Sequence, residues 1–244
     1  MTATVTVTEK DRALLNEIRK VRLADLSDGM DALGLVNKGS MSTEMRPIRP
    51  GISFYGFAWT VKLARADETF DKPCETVEEY IEQNNKYCSD IYSFMGRMKD
   101  EDLTDHVLVV DMGGYPGGLL GSENMMKYHL WGMVGAVVDG GCRDSYECNL
   151  EEVKAFCTKR TYHHVSGRMK SDGVQVPVNC AGVTVVPGDI VCADDDGVLV
   201  IPRDKAEDVL KFAKAILEAD QKIRASHYEA LGYEPDETLN RLGK

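Results

Sequence analysis

The chain has 244 residues, 43% hydrophobic and 28% charged, an ordinary balance for a soluble globular protein with a substantial core. Its formal net charge of −11 argues against a general nucleic-acid or anionic-membrane binder, yet permits an anionic substrate held locally by an arginine or a metal ion. No run of about 18 apolar residues appears, and residues 1–10 lack the apolar stretch of a secretory signal, so a cytoplasmic protein is expected. The seven cysteines are scattered without a C-x-x-C pair, which favours reduced, buried thiols over a disulfide framework or zinc site.

Leu14, Leu15, Ile18 and Val21 predict one face of a helix over 9–25, opened by a Thr8/Asp11 capping arrangement. A short helix is expected over 27–34. Phe57, Trp59, Val61 and Leu63 alternate with Ala58, Thr60 and Lys62, the pattern of a half-buried strand. Thr76 followed by Glu79 is a capping box for a helix reaching about Tyr92. That helix belongs to a charged segment, 67–105, expected as an elaboration on the core's surface that serves as a lid or subunit contact.

Residues 106–112 read as a buried strand, 113–121 as a Gly-rich loop, 122–131 as a helix and 133–139 as a second buried strand. This is a βαβ unit, which requires parallel strands. A helix over 146–157 and short strands over 182–186, 189–193 and 198–201 follow. Pro202 opens a C-terminal helical tail, 203–244, with Val209, Leu210, Ala213 and Leu217 facing inward. Asp194-Asp-Asp-Gly197 lacks the rest of a calcium loop and reads as a tight turn. His163 and His164 are expected in a strand, on opposite faces, and so not as joint metal ligands.

Ligands of open α/β sheets bind beyond the carboxyl ends of parallel strands. Two loops meet there, 113–121 and 140–144. The first feeds a helix whose initial N–H groups, near Ser122, Asn124 and Met125, are expected to lack intrahelical partners and to bind a carboxylate or phosphate. The second supplies Arg143, which can grip a carboxylate or stabilise an enolate oxygen. It also supplies Asp144, a hard ligand suited to Mg²⁺. Glu123 and Glu147 are further carboxylates within reach. Taken alone, Arg143 and Asp144 read equally as an exposed ion pair beside ordinary turns.

Longer stretches narrow the choice. Gly132-Met-Val-Gly-Ala-Val-Val-Asp-Gly-Gly-Cys-Arg-Asp144 with Glu147, Cys180-Ala-Gly-Val-Thr-Val-Val-Pro-Gly-Asp189, and Ala193-Asp-Asp-Asp-Gly-Val-Leu-Val-Ile-Pro202 resemble the RraA-like family. So does the early Leu26-Ser-Asp-Gly-Met-Asp-Ala-Leu33. That family includes 4-hydroxy-4-methyl-2-oxoglutarate aldolases, oxaloacetate decarboxylases and regulators of ribonuclease activity. The resemblance implies a compact α/β, swivelling-type β/β/α domain spanning 1–244, with a central βαβ unit and a C-terminal helix. It also implies assembly as a homotrimer or a dimer of trimers. The expected activity is divalent-metal-dependent cleavage of a carbon–carbon bond in a 2-oxo acid, through a pyruvate-type enolate.

Mg²⁺, or Mn²⁺ or another divalent ion, would be held by Asp144 and Glu147. Arg143, Ser122, Asn124 and Met125 would bind substrate, and Arg143, Asp144 and Glu123 would act in catalysis. The family's aldolases leave twenty intervening residues between an acid and the Arg-Asp pair; here that gap leads back to Ser122, and Glu123 leaves nineteen. Both stand as candidates. An acid donated by a neighbouring subunit is also implied, with Glu218 as its candidate. The alternative function is a non-enzymatic regulator that binds a ribonuclease or another protein. Glu147 favours the enzyme, because the regulators resemble a pattern with glycine there.

Overall fold

A computed structural model describes residues 5–66 and 72–243, so the first residues of the 67–105 segment lie outside the described part. The chain opens with helices α1 (Glu9–Ile18) and α2 (Leu23–Ala32). Thr8 and Asp11 form the reciprocal cap foreseen for α1. One helix over 9–25 was expected; the chain instead breaks at 19–22 and starts α2 at Leu23. The break lets Ile18, Val21 and Leu26 all reach one apolar layer.

A short β1 (Arg46–Pro47) precedes the long β2 (Phe54–Arg65). Residues 54–61 of β2 are buried on both faces, Ala58 and Thr60 included, rather than half-buried, while Lys62 is exposed as the alternation predicts. Its position explains this: β2 lies inside the sheet, with helices α1, α2 and α7 (Ala206–Leu231) on one side and the main core on the other.

Helices α3 (Val77–Ile91) and α4 (Phe94–Met98) come next. Thr76 caps α3 by accepting from the Glu79 N–H at 3.1 Å, while Glu79 turns back to the N–H of Glu75 rather than that of Thr76. The outer face is charged as expected, but Ile91, Phe94 and Met98 are fully buried and Phe94 packs on Trp59.

Strand β3 (His106–Leu120), helix α5 (Ser122–Leu130) and strand β4 (Gly135–Cys142) form the βαβ unit, with β3 and β4 parallel. The Gly-rich segment is not a free loop. It continues β3 through three register shifts, pairing Tyr115 with Gly140, Gly118 with Gly141 and Leu120 with Cys142. Close approach accounts for Gly117, Gly118 and Gly121, whereas Gly113 and Gly114 take positive φ, 58° and 72°, in open space. Helix α6 (Ser145–Leu150) is far shorter than the helix expected to Cys157, because β5 (Ala155–Arg160) takes over and pairs parallel with β4. Ala155, Phe156 and Cys157 are buried, a short apolar run that fits strand and helix equally until its neighbour is known.

Strands β6 (Met169–Val174), β9 (Ile190–Asp194) and β10 (Gly197–Ile201) complete an eight-stranded sheet ordered β1-β5-β4-β3-β2-β9-β10, with β6 on the far end of β2. A separate hairpin joins β7 (Val178–Cys180) and β8 (Val183–Val185). The Asp194–Gly197 segment is the β9–β10 turn, where the Asp196 N–H reaches the Asp194 carboxylate at 3.0 Å. Val209, Leu210, Ala213 and Leu217 of α7 face inward as foreseen. All seven cysteines are free, five of them buried. Among the described residues no helix is long and apolar enough to cross a membrane.

Candidate active site at the ends of β3 and β4

The carboxyl ends of β3 and β4 deliver α5 and the Arg143-Asp144 pair to one place. Arg143 leaves β4 with its N–H bonded to Leu120 O at 2.9 Å, so its backbone is fixed to the last turn before α5. Asp144 takes a left-handed conformation (φ 60°, ψ 40°) at the N-cap position of α6, where its side chain makes no capping hydrogen bond. Asp tolerates that region better than most side chains, which fits an Asp where the chain turns so sharply.

Two glycines make room for these side chains. A Cβ on Gly118 would stand 3.1 Å from Arg143 Cδ and 3.0 Å from His163 O. A Cβ on Gly121 would collide with the Asp144 carboxylate and lie 3.6 Å from Arg143 Cγ. The start of α5, Arg143 and Asp144 are therefore in direct contact.

Gly121 caps α5 without a side-chain hydrogen bond. The first bond within the helix runs from the Met125 N–H to Gly121 O at 3.2 Å. Met125 was expected among the unpaired donors; the helix uses it. The N–H groups ahead of it, on Ser122, Glu123 and Asn124, precede the first helical bond and meet the positive end of the helix dipole. Ser122 is buried at 8% exposure.

The acids are more dispersed. Glu123 is 72% exposed and pairs along the helix with Lys127 at 2.9 Å. Glu147 is exposed in the first turn of α6, three positions after Asp144. Arg143 Nε lies 3.6 Å from Asp144 Oδ1, with both side chains about a third exposed, so neither is consumed by the other. Among the described residues no three His, Cys, Asp or Glu side chains gather to hold a metal. A zinc-type site is thus a poor fit. Mg²⁺ is a better one, since it keeps several waters and needs only one or two carboxylates.

Two residues join the site unforeseen. Tyr92, at the end of α3, donates from its hydroxyl to Leu119 O at 2.7 Å. It also lies beside the Asn124 side chain and feels the charge of Arg143, while burial raises its pKa. His164 approaches the same hydroxyl at 3.2 Å through Nε2. His163 and His164 lie in a loop rather than a strand, with a single bridge from Gly118 to His164. His163 faces Thr161 and His164 faces Ser166, so the two rings have separate partners. Burial, then the positive charges of Arg143 and Arg168, bring the His164 pKa down to about 4. Neither residue has a local sequence signal; each reaches the site from a distant part of the chain.

Comparison with known proteins agrees with this architecture. A family profile described as RraA-like, Aldolase/RraA, matches residues 23–200, and the chain belongs to that family. It is 32% identical over 109 residues to the 4-hydroxy-4-methyl-2-oxoglutarate aldolase of Thermus thermophilus, covering 44% of this chain and 65% of that one. It is 26% identical over 214 residues to the protein DlpA of Legionella pneumophila, covering 87% of this chain but 31% of that longer protein. The chain thus spans less than two thirds of either relative. In fold it is similar to Streptomyces coelicolor RraAS2, described as an unusual member of the RNase ES inhibitor RraA family. That likeness has a TM-score of 0.70 at 24% identity and covers 90% of this chain and 99% of that one.

Proposed function

We propose that the protein is a carbon–carbon lyase acting on a 2-oxo acid with a divalent cation, as a 4-hydroxy-2-oxo acid aldolase, an oxaloacetate decarboxylase, or both. The observation that carries this reading is the contact of Arg143 and Asp144 with the start of α5 across Gly121. The aldolase relative in Thermus supports the reaction class.

In this reading the substrate carboxylate sits on the N–H groups of Ser122, Glu123 and Asn124, with Met125 lining the approach. Arg143 faces the 2-oxo oxygen. For an aldol substrate, the 4-hydroxyl proton leaves and the C3–C4 bond breaks. Its electron pair moves into the 2-oxo group, giving the enolate of pyruvate and releasing a carbonyl compound. Arg143 stabilises the enolate oxygen until C3 is protonated. Oxaloacetate would lose CO₂ from the same bond and reach the same enolate. Proton transfer is assigned to Glu123 once its carboxylate leaves Lys127. Asp144, with Glu147 three positions on, would hold Mg²⁺ or Mn²⁺, which would supply Lewis-acid charge stabilisation when bound. Assembly into trimers or a dimer of trimers would complete the pocket; the exposed Glu218 on α7 is the candidate acid from a neighbouring copy.

The test is pyruvate release from oxaloacetate and from branched 4-hydroxy-2-oxo acids, with Mg²⁺ or with chelator. Absence of metal-dependent release across a broad panel would sink the lyase reading. Arg143→Ala is expected to lower turnover by about 10²–10³-fold, the usual cost of an oxyanion donor, while the oligomer survives. Near-normal turnover would remove Arg143 from the mechanism.

A second reading, a regulator that binds a ribonuclease, draws on one observation, the likeness in fold to the Streptomyces RraA protein. Micromolar binding to a ribonuclease, with no lyase turnover, would favour it.

A further inference from the structure

We propose that Tyr92 and His164 form a positioning relay that holds the end of β3, and through it the start of α5 and Arg143, in the shape that receives an anion. The inference rests on the anion-binding reading of that site and adds the part of the chain that keeps it in shape.

The direction of the hydrogen bonds is fixed by the donors. The backbone N–H of Ser166 donates to His164 Nδ1 at 3.2 Å, so Nδ1 is an acceptor and the proton of the neutral ring lies on Nε2. That Nε2–H faces the Tyr92 oxygen at 3.2 Å, and the Tyr92 O–H donates onward to Leu119 O at 2.7 Å. Behind the ring, the Ser166 Oγ stands 2.6 Å from Nδ1 and 2.7 Å from Asn84 Oδ1 of α3, and its single proton serves one of these two acceptors at a time, while the Ser166 N–H holds Nδ1 in either case. The chain of bonds thus starts at the Ser166 N–H, passes through the imidazole and the Tyr92 hydroxyl, and ends on the main chain of β3.

Its endpoint is well placed. Leu119 is two residues before Gly121, and its neighbour Leu120 accepts the Arg143 N–H. On the other side of Leu119, the Gly118 N–H donates to His163 O at 2.8 Å. The loop carrying both histidines therefore grips the strand end directly at the Gly118 main chain and, through Tyr92, at Leu119 O. Neither Tyr92 nor Ser166 need touch substrate. Ser166 is only 2% exposed, which also removes it as a nucleophile despite its short contact with a histidine. The Tyr92 ring packs on Phe94 at 6.1 Å between centroids, so removal of the hydroxyl alone leaves that packing in place.

The test compares the full-length protein with Tyr92→Phe, His164→Leu and His164→Gln. Glutamine retains an N–H donor for Tyr92; leucine does not. Hydrogen exchange is measured without ligand on peptides covering 115–125 and 140–146, where the Gly118 and Arg143 amides report on the strand end. Affinity for oxalate, a planar analogue of the enolate, is measured by calorimetry with Mg²⁺ present. The relay predicts roughly tenfold faster exchange in Tyr92→Phe and His164→Leu, with near wild-type exchange in His164→Gln. Oxalate affinity should fall about tenfold in the same two variants, equivalent to ~1.4 kcal/mol, and recover in His164→Gln. Exchange in Tyr92→Phe within twofold of wild type overturns the relay, as does equal loss in the leucine and glutamine variants. If wild-type protein binds no oxalate, the lyase reading fails, and the exchange data alone decide the relay.

Discussion

Gly121 and Asp144 share one space: a Cβ at Gly121 would stand where the Asp144 carboxylate does, and only displacement of that carboxylate makes room for it. Gly121→Ala should push Asp144 away and disturb the start of α5, costing oxalate affinity tenfold or more. The fold itself should lose only about 1–3 kcal/mol, the usual cost of overpacking. Calorimetry on the variant, beside its melting curve, separates the two effects. His164 gives a second prediction at this scale. It is held neutral, with a pKa near 4 against an ordinary 6.5. The unfolded chain therefore takes up its proton first as pH falls. The stability His164 contributes is complete above 6.5 and drains away as pH falls toward 4. An NMR titration should show the His164 ring without an inflection above pH 5; a midpoint near 6.5 would contradict the burial argument. Arg143 and Asp144 were legible because they sit in one short motif. Tyr92 and His164 were not, since they lie 27 residues before and 45 residues after Leu119 and meet it only through the fold.

At the scale of elements, helices with clear caps were the most legible. The Thr8 and Thr76 caps, the start of α5 and the inner face of α7 all follow from local residue chemistry. What failed was set by neighbours. Alternation in β2 predicted a wet face, but packed layers on both sides bury Thr60 as fully as Trp59. The apolar run Ala155–Cys157 fits a helix until β4 offers it an edge. Helices α3 and α4 carry charge outward and yet seat Phe94 at 1% exposure between Trp59 and Tyr128. Phe94→Ala should therefore cost about 3–5 kcal/mol in denaturant unfolding, as for a core aromatic. A loss below about 1 kcal/mol would mean that the segment is a detachable ornament.

Across the whole molecule, ion pairs tie the first helices to the last. Arg203 grips Asp11 at 2.6 Å, Arg22 joins Asp25 to Asp220, and Lys214 meets Glu17. Burial pushes the Asp11 carboxyl up, but hydrogen bonds from Arg203 and Thr8 outweigh it and bring the pKa down to about 2. The pair's contribution is present above the unfolded value of 3.8 and is lost as pH falls through about 2. The melting point of Asp11→Asn should lie below that of wild type at pH 5, and the gap should close toward pH 2. A constant gap would assign the difference to packing instead.

The Gly-rich end of β3 has a further implication. A tract with so little side chain would ordinarily serve as a hinge, but here it is laddered to β4 and fastened by Tyr92. It acts as a mould. An arriving anion meets a wall already cast, so little chain entropy is surrendered on docking. Discrimination among anions then falls to size and shape rather than to closure. Small planar acids and bulkier ones should differ in how fast they leave, far more than in how fast they arrive.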